Sequence, residues 1–331
     1  MSSEPRPSGT PVLQGSDALV DIDLPLPDRR EGKVRVSFAL GAARRLFVTT
    51  DRLSAFDRII AGVPFKGQVL NQLAAWWFDK TADVVPNHVV AVPDPNVLVA
   101  RAATPLPVEV VVRGYITGVT ATSLWKPYSQ GARHLYGHDL PDGLGKNERL
   151  PEPLITPTTK PPAGSAVHDE PLTMTEVTAR HLVAPDRWNH VTGAALELFR
   201  RGQRLAAAAG LILVDTKYEF GLGVDGELLL IDEVHTPDSS RYWMLDTYAA
   251  RLAAGEEPES LDKEVVRRAL ADAGFTGDGD VPALGADVWT ATSARYIDAF
   301  QRLTQLPFVP GAYPVEDRVA TALPTIIEEW S

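Results

Sequence analysis

The 331-residue chain is 44% hydrophobic and carries 32 Lys and Arg against 43 Asp and Glu, for a net charge of −11. That length supports a large core and two or three domains, and the acidic balance speaks against nonspecific binding to nucleic acid or anionic membranes. With no cysteine, disulfides, thiolate metal sites and cysteine nucleophiles are excluded, so any metal must bind oxygen or imidazole.

No apolar run is long enough to span a bilayer and the N-terminus lacks the apolar core of a signal peptide, which places the expected protein in the cytoplasm. Residues 1–20, rich in Pro, Ser and Gly without apolar period, read as a disordered tail. Alternation through Val34, Val36, Phe38 and Leu40, a turn at Gly41 and a second apolar stretch at Leu46, Phe47 and Val48 predict an antiparallel hairpin. Helical spacing follows over 68–80, then short strands over 89–92 and 97–100.

The β-branched run 108–113 predicts a strand with Arg113 at its end, followed by a helix through Leu124 and Trp125. Residues 137–171, crowded with Pro and Gly, read as a long functional loop centred on the TPTTK segment, 156–160. A long amphipathic helix is expected over 185–209, ended by Gly210 before an apolar strand. After Trp243 the pattern is helical, over 261–273, 286–306 and a short 315–323 segment.

The strands LILVDTKYEFGLGV and ELLLIDEV flank Asp225-Gly226, a dipeptide suited to a two-residue type I′ turn. That register sets Glu219 opposite Asp232 and Lys217 opposite Val234, with a bulge at Gly221 or Gly223 substituting Glu233. Two carboxylates facing each other repel unless a cation lies between them, and oxygen ligands with an open coordination sphere suit Mg²⁺ carried by a nucleotide. Period two places Asp215, Lys217 and Glu219 on one strand face. A solvated outer sheet face remains the plain alternative. The GLGVDG stretch mimics a dinucleotide fingerprint but leads into a strand where that motif must open a helix.

The segments GKVR (32–35), DRLSAFD (51–57), VVVRGYITG (110–118), TPTTK (156–160), HDE (168–170), LVDTKYEFG (213–221) and IDEVHTPDSSRYW (231–243) together resemble the phosphoribosylaminoimidazole-succinocarboxamide synthase, or SAICAR synthetase, family. The resemblance spans about residues 30–245. It implies an α+β fold, with an N-terminal antiparallel β domain (21–106), an ATP-grasp/kinase-like nucleotide- and substrate-binding domain (107–243) and C-terminal helices (244–331). It implies an ATP-dependent ligase that joins L-aspartate to carboxyaminoimidazole ribonucleotide (CAIR) through an acyl phosphate, acting as a monomer or small homo-oligomer.

By the same resemblance Lys33, Arg35 and Lys160 meet ATP, and Glu219 and Asp232 hold Mg²⁺. Arg113, Asp215, Lys217, Ser239, Ser240 and Arg241 meet CAIR, with Lys217 and Asp215 as the catalytic pair. Many relatives carry Ser directly after the glycine matching Gly118; here Val119 follows and Ser123 is the candidate to replace it. Asp51, Arg52, Ser54, Lys66, His168, Asp169 and Glu170 are expected on the substrate side, where aspartate binds. Two other readings share part of the pattern: an ATP-dependent kinase or ligase on another carboxylate, and a nucleotide-binding regulator without turnover.

Overall fold

The structure, a computed structural model, describes residues 18–55, 58–160, 169–275 and 279–331. The first sheet has the order β1-β2-β3-β7-β6, built from β1 (Arg30–Glu31), β2 (Arg35–Leu40), β3 (Arg44–Thr49), β6 (Val89–Asp94) and β7 (Val97–Arg101). The small pair β4 (Arg52–Ala55) and β5 (Arg58–Gly62) and helix α1 (Lys66–Lys80) are inserted before β6. The expected hairpin, helix and strand pair are thus present. Leu19, expected within the N-terminal tail, is instead fully buried in the core of this sheet.

The second sheet has the order β11-β8-β12-β13 and is antiparallel, from β8 (Ala103–Tyr115), β11 (Arg149–Thr159), β12 (Leu211–Gly223) and β13 (Leu228–Ile231). Between β8 and β11 lie α2 (Trp125–Ser129), β9 (His134–Leu135) and β10 (His138–Asp139). After β11 come α3 (Met174–Ala179) and α4 (Pro185–Ala208), and after β13 comes β14 (Ser240–Met244). The segment read as a loop over 137–171 therefore contains an eleven-residue strand, β11. Its prolines hid it: β11 is an edge strand, where a missing backbone donor is tolerated, and its register shifts between Arg149 and Leu154, around Pro151 and Pro153.

The helix α4 starts with Pro185 at its first turn and stops before Gly210, which takes φ 73°. Its Val191, Ala195, Leu198 and Phe199 pack with Trp77 of α1 against Val110 and Val112 of β8 and Tyr218 and Phe220 of β12. Each such side chain contributes about 1.5–3 kcal/mol on full burial. One sheet face is thereby committed to the core, which leaves the alternate residues of β8 and β12 for chemistry.

The chain ends in α5 (Leu245–Ala253), α6 (Glu264–Asp272), α7 (Ala286–Thr304) and α8 (Val315–Trp330). α6 packs on the β4/β5 pair through Val266 and Leu270. The short final segment expected over 315–323 is a sixteen-residue helix running through Pro324. Pro324 lies on the exposed side, while Val315, Val319, Leu323 and Ile326 form a stripe against the first sheet.

Candidate active site

The hairpin register differs from the sequence expectation by one residue. Glu219 pairs with Ile231 and Leu222 with Leu228, and the connection is three residues long. Gly226 N–H donates to the Gly223 carbonyl, and only Gly226 takes a positive φ, 80°, so the turn is a type I turn followed by a left-handed residue. Glu219 and Asp232 are consequently not cross-strand neighbours, and Lys217 does not face Val234, which is buried in the core.

They meet by another route. β12 pairs with β14 as far as Thr216 and with β13 from Glu219, and Lys217 N–H donates to the Ser239 carbonyl at 3.0 Å in between. The 232–239 segment leaves the sheet there, and Asp232 ends β13 in the left-handed region, φ 70°. Its carboxylate then lies 3.6 Å from Lys217 Nζ, which also contacts Glu219 and, at 3.1 Å, Glu109. Lys160, at the end of the edge strand, contacts Glu219. Arg35, from the first sheet, contacts Asp232 Oδ1 and donates to its carbonyl at 2.7 Å, with Glu233 at 3.9 Å. Two sheets thus converge on one acidic and basic cluster.

The electrostatics follow from that crowding. Burial lowers the Lys160 pKa, reinforced by Lys217 and Arg35 and opposed by Asp232 and Glu109. Burial also acts to lower Lys217, but Asp232, Glu109 and Glu233 outweigh it and hold the ammonium above its ordinary value. Burial would raise Asp232; Arg35, Lys217 and Lys160 instead keep it well below the carboxylate range. Glu233 is raised, chiefly by burial and then by Asp232 and Asp238 beside it. Glu219 and Asp232 supply oxygen donors to one spot and basic groups flank them, a donor set that fits a Mg²⁺ completed by phosphate and water oxygens.

At the other end of the same face, Asp215 pairs with Arg113 across β8 and with Arg241 across β14. Its Oδ2 lies 3.6 Å from Arg113 and 3.3 Å from Arg241 without a hydrogen bond of its own among the described residues. Arg113 donates to Thr156 Oγ1 at 2.8 Å and to the Thr122 carbonyl at 2.9 Å, which holds the 117–124 loop against the sheet. Ser123 sits in the space left by Gly118: a Cβ there would lie 2.5 Å from Ser123 Cβ and 3.8 Å from Arg241. Ser240 donates to Thr216 at 2.7 Å, and Ser239 lies on the turn beside it.

The other expected residues differ widely in burial. Asp51 is fully buried and accepts from Leu19 N, Gly67 N and Tyr313 OH at 2.8–2.9 Å, a tie between N-terminal strand, helix and C-terminal segment. Arg52 is also buried, bound to Glu31, Thr50 and the Gly32 carbonyl. Lys66 is fully buried, 2.7 Å from Asp238 and 3.0 Å from the Arg52 carbonyl. Ser54 is buried within β4, while Lys33, Asp169 and Glu170 are exposed. Glu170 pairs its backbone with Thr159. His168 lies outside the described residues.

Two site residues escaped the sequence reading. Glu109 was hidden in a β-branched run, although its alternation with Val111 and Arg113 was a usable signal. Asp238 joins Lys66 to Tyr296 of α7, whose hydroxyl donates at 2.6 Å, a contact no local pattern announces. Glu233, named from the sequence as the carboxylate a bulge would substitute, accepts from the Thr236 hydroxyl at 2.5 Å, beside Asp232.

The profile of the SAICAR synthetase family matches residues 28–283. A phosphoribosylaminoimidazole-succinocarboxamide synthase of Legionella pneumophila strain Lens is 46% identical over 306 residues, covering 91% of this chain and 96% of that protein. The chloroplastic enzyme of that name from Arabidopsis thaliana is 45% identical over 298 residues, covering 89% and 71%. Among solved structures, SAICAR synthase of Saccharomyces cerevisiae complexed with SAICAR aligns with TM-score 0.75 at 31% identity, covering 88% of this chain and 99% of that one. A type-2 SAICAR synthetase in complex with ADP has the same fold, with TM-score 0.65 at 22% identity, covering 85% and 100%.

Proposed function

The chain belongs to the SAICAR synthetase family, and from that premise we propose that it uses ATP to condense L-aspartate with CAIR, giving SAICAR, ADP and phosphate. The observation that carries the reading is the single face of β12, with Asp215 between two arginines at one end and Glu219 and Asp232 among basic groups at the other.

A carboxylate is a poor electrophile until one of its oxygens becomes part of a leaving group. In the proposed sequence a CAIR carboxylate oxygen attacks the γ-phosphorus and ADP leaves. The amine of L-aspartate then attacks the acyl carbon, the C–O bond to phosphate breaks and the amine loses its proton. Lys33, Arg35 and Lys160 bind the ATP phosphates, which need positioning and positive charge more than covalent help. Glu219 and Asp232 hold Mg²⁺, which when bound neutralises charge on the transferring phosphoryl group.

Lys217, kept protonated by three carboxylates, faces the CAIR carboxylate between the two ends. Arg113, Arg241, Ser123, Ser239 and Ser240 hold the anionic and hydroxyl groups of the ribonucleotide, and Asp215 accepts from its ring amine. A kinase acting on another carboxylate would share the metal end, but the paired arginines flanking Asp215 favour the ribonucleotide. With ATP, Mg²⁺, L-aspartate and CAIR, the protein is expected to release ADP and SAICAR in equal amounts. ADP formation indifferent to L-aspartate, or none from folded protein, contradicts the reading.

A further inference from the structure

The 232–239 segment carries Asp232 toward the site, yet its middle is fully buried: Val234, His235 and Thr236 are all closed to solvent. Both Asp232 and His235 take positive φ, 70° and 48°, a conformation that is uncommon for a non-glycine residue and persists when its surroundings impose it. The imidazole of His235 supplies those surroundings. Its Nε2 lies 2.5 Å from the Tyr218 hydroxyl, its ring meets Trp77 edge-on at 4.5 Å, and its carbonyl accepts from Tyr242 OH at 2.7 Å. Gly202 of α4 makes the room: a Cβ there would lie 2.5 Å from His235 Cε1. Burial keeps the ring neutral, with its pKa lowered to about 3, so it fills the core as an uncharged plug.

Tyr218 stands on β12 between Lys217 and Glu219 and points to the opposite side of the sheet, into the core. The contact therefore ties the back of the strand that carries Lys217 and Glu219 to the segment that carries Asp232. We propose that Tyr218, His235 and Gly202 form a positioning device that sets the Asp232 carboxylate against Lys217 and Glu219 from the core side of the sheet. None of the three touches substrate; they act through Asp232, and the proposal rests on the reading of Asp232 as a site residue.

A double-mutant cycle tests it in the full-length protein. Tyr218→Phe is expected to lower kcat/KM about tenfold in the wild-type background, since displacements of about 1 Å carry losses of up to 100-fold. In an Asp232→Asn background the same change is expected to cost less than about twofold, because the positioned group is gone. Gly202→Ala, which pushes on the ring from α4, should reproduce the pattern. Val191→Ala, a core truncation on the same helix, should lower the melting temperature yet leave kcat/KM within about twofold. A folded Tyr218→Phe protein with wild-type kcat/KM, or an equal loss in both backgrounds, overturns the proposal. Wild-type Mg²⁺ dependence of Asp232→Asn alone overturns the metal role of Asp232 instead, and leaves the cycle to judge the positioning.

Discussion

Lys217 is the side chain on which the site turns, because Glu109, Glu219 and Asp232 all lie within ion-pair reach of its ammonium. Replacing Glu219 by Gln or Asp232 by Asn is expected to cut turnover at least ~100-fold by weakening metal positioning, with the fold retained by circular dichroism. Unchanged turnover would remove the metal role. The two lysines are predicted to titrate apart. Burial lowers Lys160, so this amine loses its charge first as pH rises, and kcat/KM for ATP should fall at a pH below the ordinary lysine value of 10.5. Lys160→Arg should move that alkaline limb upward, since a guanidinium stays protonated. Glu109→Gln removes a carboxylate that stabilises charged Lys217, so the Lys217 pKa should fall. A pH profile of Lys160→Arg identical to wild type would contradict this assignment.

The elements differ in how far the sequence disclosed them. α1 and α4 were legible because long amphipathic periods have few rival explanations, and Pro185 and Gly210 marked the ends of α4. β11 was not, because an edge strand tolerates Pro151, Pro153 and Pro157, and α8 continued past Pro324 because its packed stripe outweighs one lost backbone bond. The β12/β13 hairpin was legible as a hairpin but not in register, since Asp225-Gly226 serves a two-residue and a three-residue turn alike. The residues expected at the metal end nevertheless converge, through the left-handed Asp232 that no pairing rule foresees. The three-residue turn predicts that Gly226→Ala destabilises the protein by about 1 kcal/mol or more, because alanine resists φ 80°. Denaturant unfolding with no loss of stability would count against that turn.

At the scale of the whole molecule, one buried ion pair joins three regions. Lys66 at the start of α1, Asp238 before β14 and Tyr296 in α7 meet with side chains almost closed to solvent, which gives the C-terminal helices a direct hold on the site segment. Asp238→Asn leaves the Lys66 ammonium buried and unpaired, an expected loss of about 3–5 kcal/mol, whereas Tyr296→Phe removes one hydrogen bond at about 1 kcal/mol. Thermal melts that rank them the other way would show that the helices are held by apolar packing alone.

In the proposed reaction the two ends of the β12 face activate a carboxylate before an amine attacks it. Oxygen-18 placed in the carboxylate of CAIR tests this directly, by mass spectrometry of the phosphate released during turnover with ATP and L-aspartate. One labelled oxygen is expected in phosphate for each SAICAR formed; phosphate without label would rule out an acyl phosphate at this site.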